Sequence, residues 1–276
     1  FPTRRSSDLC DVLELIDRLI SVLDTSLPAK ESWVAQCREW RKNYPVVTEK
    51  HYKDTHPNIY SFYKELTKRL GADDCLVASC GTSRVAGSQA SEIREGMRFI
   101  TNPSTASMGY GLPAVIGACI ARGRKKTILV TGDGSLQMNI QEFQTIIQNR
   151  LPIIIFVMNN QGYHSIRMTQ NNYFGKPLVG VGPESGDLSF PDLAKLASAY
   201  GFRFKRCESQ SDMQESIEWA LSQEKPTICE MMLSTEQITE PKVASRKLPN
   251  GQMVSATLEN MAPFLPEEEV KQNMIL

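Results

Sequence analysis

The chain has 276 residues, of which 41% are hydrophobic, and its 31 basic and 31 acidic residues leave no net charge. A chain of this length and composition can bury a large core. The even balance of charge argues against binding to nucleic acid or to an anionic membrane. The longest apolar runs, such as residues 151–158, are too short for a membrane span of about 20 residues.

The seven cysteines are odd in number, scattered and without a C-x-x-C pair. They therefore predict neither a disulfide framework nor a zinc site, and a reducing cytoplasm is the expected compartment. The first nine residues resemble a translated sequencing adapter and carry no targeting pattern, so they are excluded from fold prediction and an upstream part of the natural protein is expected to be missing.

Two helices are predicted at the beginning of the chain. Residues 10–23 repeat apolar side chains at the spacing of an amphipathic helix. Residues 32–44 form a second such pattern, which ends at Pro45 because proline has no N–H to donate. Residues 46–57 read as a polar connector, so residues 10–57 are interpreted as the end of one domain and a linker.

The next elements begin the predicted main domain, residues 58–235. Residues 59–70 are predicted to be helical, residues 75–79 a short strand, and residues 81–96 a glycine-punctuated loop with one helical turn. A helix follows in residues 108–122. Its small residues predict close approach to a neighbouring backbone; they are Gly109, Gly111, Ala114, Gly117, Ala118 and Ala121.

A strand–helix–strand unit is predicted in the centre of the chain. Residues 127–131 are rich in β-branched side chains, residues 136–149 fit a helix, and residues 151–158 are almost wholly apolar. Strands that are continuously apolar and separated by a helix indicate a parallel sheet that is covered on both faces.

The alternation continues towards the end of the chain. Helices are predicted at residues 192–200 and 212–223, and strands at residues 202–207 and 227–233. The proline-containing tail, residues 236–276, is predicted to be irregular. The predicted fold class is therefore α/β, with a doubly wound, mainly parallel sheet and helices on both faces.

Polar side chains follow the two central strands, where each strand ends. Residues 132–135 read Gly-Asp-Gly-Ser and residues 159–162 read Asn-Asn-Gln-Gly. Because ligands bind outside the carboxyl ends of parallel strands, we expect Asp133 and Asn160 to lie at one edge of the sheet. Their oxygens suit Mg2+, whose natural partner is a diphosphate.

Two neighbouring residues support this interpretation. Gly134 lets the backbone approach a phosphate without an intervening side chain. Ser135 is predicted to begin a helix whose first N–H groups are free to donate to an anion.

The paired motifs reproduce the signature of thiamine-diphosphate enzymes, and residues 10–276 resemble the C-terminal part of acetolactate-synthase-like members of that family. This resemblance implies a thiamine diphosphate and Mg2+ site. Mg2+ would be bound by the side chains of Asp133 and Asn160 and by the carbonyl of Gly162. The implied cofactor-binding residues are Ala106, Met108, Gly132, Asp133, Gly134, Ser135, Asn160, Gly162 and Tyr163.

Met108 has a particular role by this resemblance. It would be the apolar wedge that bends the cofactor into a V shape, so that the amino group of the cofactor meets its thiazolium C2. Ala106 and Met108 would contact the aminopyrimidine ring through their backbones. The alternative interpretation of Met108 is an ordinary core methionine that fills a gap.

The resemblance also implies a reaction and partners. The substrate would be a 2-keto acid such as pyruvate, which is decarboxylated and then joined to a second carbonyl compound. The implied assembly is a homodimer or homotetramer with sites shared between subunits, and FAD accompanies the cofactor in some relatives. The glutamate that activates the pyrimidine lies in an N-terminal domain outside this chain, so the chain alone is expected to be inactive.

Some residues depart from the family pattern, and they leave the substrate open. Thr169 stands where acetolactate synthases carry a tryptophan, and residues 81–84 replace a Gly-Gln-His-Gln element. Arg84 could reach an anionic group, although a solvated or structurally paired arginine fits better. His164 is a candidate for proton transfer in a loop at the pocket mouth, and a structural histidine is an equal alternative.

Two rival functions remain at this point. Another thiamine-diphosphate decarboxylase, or an enzyme that cleaves a cyclic diketone or a modified sugar, would need the same metal and diphosphate residues. The second rival function is a non-catalytic module that keeps only the fold. It is disfavoured because an uncompensated Asp133 would be costly.

Overall fold

The described part of the chain falls into two compact units. The computed structural model describes residues 11–23, 30–247, 250 and 252–274. The units are Phe1–Pro45 and Val46–Leu276. The adapter-like residues 1–9 and Cys10 lie outside the described residues, so the structure neither supports nor contradicts their interpretation.

The first unit contains the two helices predicted for it. Helix α1 is Val12–Val22 and helix α2 is Glu31–Asn43. The side chain of Asp11 caps α1 by accepting a hydrogen bond from the backbone N–H of Leu13 at 2.8 Å, as short acidic residues do at helix N-termini. On α2, the rings of Trp33 and Trp40 pack edge to face with centroids 5.6 Å apart.

The second unit alternates strands and helices along most of its length. The strands are β1 Cys75–Ala78, β2 Arg98–Ile100, β3 Thr127–Gly132, β4 Ile153–Asn159, β5 Arg203–Cys207, β6 Thr227–Met232, β7 Ser245–Lys247 and β8 Met253–Ser255. The helices are α3 Ile59–Lys68, α4 Gly81–Ala90, α5 Gly111–Ala121, α6 Asp133–Gln137, α7 Glu142–Gln148, α8 His164–Tyr173, α9 Leu193–Tyr200, α10 Met213–Leu221 and α11 Glu267–Asn273. Short 3-10 helices occupy Glu49–Tyr52 and Pro183–Ser185.

Six of these strands form one parallel sheet in the order β2-β1-β3-β4-β6-β5. The central strands are continuously buried because both faces of the sheet are covered. Helices α3, α4 and α10 pack on one face, and α5, α7 and α9 pack on the other. The predicted α/β fold class, with a doubly wound sheet and helices on both faces, is confirmed.

The direction of winding reverses between β1 and β3. The chain passes outward from β1 to the edge strand β2 and then returns to β3 on the other side of β1. The loops after β1 and β3 diverge at such a reversal and leave a crevice outside the carboxyl ends of the strands. The strand ends at residues 79 and 132 border this crevice.

The single helix predicted over residues 136–149 is wrong. The structure divides it into α6 and α7, with turns at residues 138–141. The N–H of Met138 bonds to the carbonyl of Ser135, and the amide side chain of Asn139 donates to the carbonyl of Gly109 at 3.0 Å. Asparagine competes in this way with regular helical bonding, and a contact so distant in sequence could not be read from local periodicity.

Other elements differ from the prediction where the sequence pattern is weak. Residues 81–90 form a full helix rather than one turn, and β2 is a three-residue edge strand that was not predicted. Helix α8 was also not predicted, because the residues on its buried side are His164 and Arg167 rather than apolar residues. The tail carries the antiparallel pair β7 and β8 and helix α11.

The segment predicted as a connector packs into the second unit. Val47 and His51 are buried, and the hydroxyl of Tyr52 donates to the carboxylate of Glu65 at 2.9 Å. The division between the two compact units lies after Pro45. Across the described ranges, no helix combines the length and the apolar character that crossing a bilayer would require.

Candidate functional site

The two polar motifs meet at one edge of the sheet. Strands β3 and β4 are parallel neighbours, and Gly132 is paired with Met158 near their carboxyl ends. Asp133 begins α6 immediately after β3, and Asn160 begins the loop after β4. The placement expected from the sequence is therefore observed.

Asp133 is buried at this edge with one carboxylate oxygen unpaired. Asp133 is only 6% exposed. Its Oδ2 atom accepts a hydrogen bond from the N–H of Gly162 at 2.8 Å. Oδ1 has no hydrogen-bond partner among the described residues. Burial raises the pKa of Asp133 to about 7, against the hydrogen bonds from backbone N–H groups that lower it.

Asn160 shows the same pattern. It is also 6% exposed, and its Oδ1 atom is buried with no partner in the described part of the chain. Buried polar atoms are nearly always satisfied, so these two unpaired oxygens at adjoining strand ends are suited to binding a ligand. One carboxylate and one amide oxygen are hard donors that fit Mg2+. No group of three or more His, Cys, Asp or Glu side chains suited to a metal occurs within the described ranges.

The backbone beside these oxygens has no room for side chains. A Cβ atom on Gly134 would lie 2.6 Å from Cε1 of Tyr163, and one on Gly162 would lie 2.0 Å from the carbonyl oxygen of Val181. Gly162 also has a φ of 131°, which side-chain-bearing residues rarely adopt. Glycine is therefore required at both positions, because Tyr163 and Val181 pack directly against the backbone there.

Asn159, the first residue of the asparagine pair, orients the loop rather than facing the site. Its Oδ1 atom accepts the N–H of Gln161 at 3.0 Å, and its Nδ2 donates to Glu230 at 2.7 Å. Glu230 is 1% exposed and accepts a second bond, at 2.6 Å, from Nε of Arg206. No role for Glu230 is predicted from the sequence, although a charged residue inside an apolar strand is a visible signal.

A second set of contacts was also missed. Arg167 on α8 is 3% exposed and donates to the carbonyls of Asn160 and Gln161 at 3.0 and 2.8 Å, while its Nε atom pairs with Glu184. The sequence offered no periodic signal for this contact, because Glu184 reaches Arg167 from a separate loop.

Ser135 joins the neighbouring strand end to the loop that carries Met108. Its hydroxyl lies 3.0 Å from Oγ of Ser79 and accepts the N–H of Gly109 at 3.0 Å. Cys80 also donates to it at 3.4 Å. The side chain of Ser135 therefore links the end of β1 to the loop before α5.

Ala106 and Met108 lie in the loop before α5. Ala106 has a positive φ of 50°, and Met108 is 46% exposed. The alternative interpretation of Met108 as a core methionine is therefore wrong. An exposed apolar side chain beside the crevice is consistent with the wedge implied by the family resemblance, and that role stays a prediction.

His164 does not lie in a loop at a pocket mouth, as was expected. It is the first residue of α8 and is 5% exposed. Its Nε2 atom lies 2.7 Å from the carbonyl oxygen of Gln237, and its Nδ1 atom lies 3.4 Å from Nη1 of Arg167. Burial lowers the pKa of His164. These contacts fit the structural alternative, with Nε2–H donating to Gln237 and Nδ1 accepting from Arg167.

The residues that depart from the family pattern lie near one another. Residues 81–84 form the first turn of α4, and an added Cβ on Gly81 would lie 3.6 Å from Oγ of Ser165 on α8. The Nε atom of Arg84 is buried and has no partner in the described chain. Thr169 is exposed on α8, and its hydroxyl bonds to the carbonyl of Ser165 at 3.0 Å.

Comparison with known proteins agrees with this geometry. Residues 79–231 match the family model "Thiamine pyrophosphate enzyme, C-terminal TPP binding domain". The acetolactate synthase large subunit of Cyanidium caldarium is 30% identical over 227 residues, which cover 82% of this chain and 37% of that protein. The corresponding protein of Pyropia yezoensis is 27% identical over 88% of this chain and 41% of its own length.

A probable acetolactate synthase large subunit of Methanococcus aeolicus is 30% identical over 95% of this chain and 43% of its own length. The chain thus spans about two fifths of the length of these curated relatives. The matched domain covers more than half of the chain and contains both strand-end motifs. The chain belongs to the thiamine pyrophosphate enzyme family, and it contains the C-terminal TPP-binding domain of that family.

Proposed function

We propose that the protein carrying this chain is a thiamine-diphosphate- and Mg2+-dependent enzyme that forms or cleaves carbon–carbon bonds in 2-keto acids, in the manner of acetolactate synthase. The observation that supports this most directly is the pair of buried, unpartnered oxygens on Asp133 and Asn160. They lie at adjoining strand ends beside two glycines that are packed too closely to carry side chains. The acetolactate synthase names of the relatives supply the substrate class.

Each group of residues has a proposed role. The side chains of Asp133 and Asn160 and the carbonyl of Gly162 bind Mg2+, while Gly134 and the backbone around Tyr163 receive the diphosphate. When bound, thiamine diphosphate supplies the carbon nucleophile and the electron sink for decarboxylation. The protein binds and orients the cofactor and excludes water.

The loop before α5 completes the proposed cofactor site. Ala106 and Met108 contact the aminopyrimidine, and the exposed side chain of Met108 supports the bent cofactor. Ser135 fixes this loop by accepting the N–H of Gly109. We assign no residue of this chain to FAD, which some relatives of this kind are expected to carry.

We further propose a homodimer or homotetramer in which two subunits complete each site. Large apolar side chains are exposed on and after α8, at Ile166, Tyr173, Phe174 and Val179, and burial against a second subunit would remove them from water.

The six described cysteines have free thiols, which supports a reducing cytoplasm.

The first experiment tests the cofactor site. Titration calorimetry of the complete protein with thiamine diphosphate should show binding that requires Mg2+, and Asp133→Ala should abolish the requirement and most of the heat. Equal binding heats in the parent and Asp133→Ala would contradict the metal assignment. An exposed-carboxylate variant, Asp73→Ala, is the matched control, because Asp73 precedes β1 at the opposite edge of the sheet from the strand-end site.

A second candidate substrate class is favoured by Thr169. Its side chain is smaller than the tryptophan expected at this place, so a bulkier acceptor, such as a cyclic diketone or a modified sugar, would have more room. Product analysis with pyruvate alone, and with pyruvate plus 2-ketobutyrate, separates the two classes. An acetolactate-type product supports the first class, whereas decarboxylation without carboligation supports another decarboxylase or a lyase.

A further inference from the structure

The loop that follows β4 is held in an unfavourable backbone conformation. Gln161 has a φ of 58°, although it bears a side chain, and Gly162 has a φ of 131°. A positive φ in a side-chain-bearing residue such as Gln161 costs free energy and persists only where the surroundings impose it. Contacts from outside the loop are therefore needed to stabilise this conformation.

Arg167 is placed to make those contacts. The two terminal nitrogens of its guanidinium donate to two successive carbonyls, those of Asn160 and Gln161, at 3.0 and 2.8 Å. A planar fork that engages consecutive carbonyls fixes the orientation of both peptide groups. The side chain of Asn160 and the N–H of Gly162, which bonds to Asp133, project from this fixed segment.

The positive charge of Arg167 is paired with a neighbouring carboxylate. Its Nε atom pairs with Glu184, whose side chain is 33% exposed, while the side chain of Arg167 is only 4% exposed. An uncompensated guanidinium would repel a nearby divalent cation. The ion pair with Glu184 offsets part of that repulsion.

The loop that carries Glu184 closes against the same segment. The N–H of Tyr163 donates to the carbonyl of Val181 at 2.7 Å, and a Cβ added to Gly182 would lie 2.2 Å from the carbonyl oxygen of Gln161. Arg167 is therefore enclosed between the β4 loop and the loop of Glu184.

We propose that Arg167 is a positioning residue for the metal site, which presets the β4 loop by binding the carbonyls of Asn160 and Gln161 before any ligand arrives. This inference rests on the proposed Mg2+ and diphosphate site and extends it to a residue that touches neither ligand. Lysine at this position keeps the charge beside Glu184 but cannot serve two carbonyls and a carboxylate in one plane.

The test compares two arginines that bind carbonyls. Arg94 donates to the carbonyls of Thr67 and Lys68 at 2.8 and 3.3 Å and to that of Leu70, and it is exposed and remote from the strand-end motifs. Arg167→Lys and Arg167→Met are therefore matched by Arg94→Lys and Arg94→Met. All four are made in the complete protein.

Two readouts separate positioning from general stability. Mn2+ binding in the presence of thiamine diphosphate, followed by electron paramagnetic resonance, should weaken about tenfold in Arg167→Lys and about a hundredfold in Arg167→Met, the range for residues that orient metal ligands. Hydrogen exchange over residues 159–163, measured without metal, should be faster in Arg167→Lys. Both Arg94 variants should match the parent in both measurements.

The outcomes are distinct. Mn2+ affinity within twofold of the parent in Arg167→Lys, or an equal loss in Arg94→Lys, would overturn the inference. If Arg167→Met fails to fold, Arg167→Lys carries the test, because it retains the charge that pairs with Glu184. A parent protein that takes up no Mn2+ with thiamine diphosphate overturns the proposed function and this inference with it, whereas normal parent binding isolates the inference.

Discussion

Among single residues, Asp133 is a buried carboxylate, 6% exposed, at the proposed metal site. Its pKa is raised to about 7 because burial disfavours the charged form. In the unfolded chain the pKa is near 3.8, so between these two values the folded, metal-free protein binds more protons than the unfolded chain. The contribution of Asp133 to stability therefore falls as the pH rises from about 4 to about 7.

Asp133→Asn should remove this dependence. Without metal, the variant is expected to be more stable than the parent at pH 8, because no buried negative charge forms, and the difference should shrink as the pH falls towards 4. Urea unfolding in the presence of a chelator measures it. Asp187→Asn is the control: hydrogen bonds from Ser185 and Gly180 hold the pKa of Asp187 below its usual value, so its loss should bring no gain at pH 8.

Gly162 carries the second prediction at this scale. Gly162→Ala should lower the free energy of unfolding by at least about 3 kcal/mol, because the added Cβ meets a backbone carbonyl and the φ is strained. Gly186→Ala, with a φ of 75° but nothing within 4 Å of an added Cβ, should cost only about 1 kcal/mol. Equal losses of stability in urea unfolding would show that the close contact at Gly162 is relieved cheaply.

For whole elements, helix α5 shows how small residues divide into two classes. A Cβ on Gly111 would lie 2.9 Å from a methyl of Leu129 and 3.0 Å from Ser79, whereas one on Gly117 would meet nothing within 4 Å. The prediction of close packing therefore applies to the start of α5 and not to its middle. Glycine is therefore required at position 111 by contact with the neighbouring strands, but not at position 117.

Alanine substitutions in α5 should have opposite signs. Gly111→Ala is expected to destabilise the protein by about 1–3 kcal/mol through overpacking, whereas Gly117→Ala should stabilise it by about 0.5–1 kcal/mol because alanine favours the helix. Thermal unfolding of the two variants beside the parent measures both effects. A loss of stability in Gly117→Ala would indicate that another chain packs against this face.

At the scale of the whole molecule, one sheet brings together residues that are far apart in sequence. The reversal between β1 and β3 opens the crevice, and the adjacency of β3 and β4 places Asp133 beside Asn160. A ligand that binds there touches several strand ends at once. Its binding energy is therefore linked to the stability of the entire sheet.

Cofactor binding should accordingly raise the melting temperature of the complete protein. Thiamine diphosphate with Mg2+ at about a hundred times the dissociation constant adds about 2.7 kcal/mol to the folded state, which corresponds to an increase of several degrees. Neither ligand alone should reach this value, and a chelator should reverse it. A melting temperature that does not respond to the pair would argue against a shared site.

The sequence by itself determined the alternation of strands and helices, the parallel sheet and the placement of Asp133 and Asn160 at adjoining strand ends. It could do so because continuous apolar strands and strand-end motifs are local patterns. It did not determine the break after α6, helix α8, or the roles of Arg167 and Glu230. Those depend on contacts between residues distant along the chain: Asn139 with Gly109, Arg167 with Glu184, and Glu230 with Asn159. Only the tertiary structure could decide them, because buried polar groups choose their partners by proximity in space.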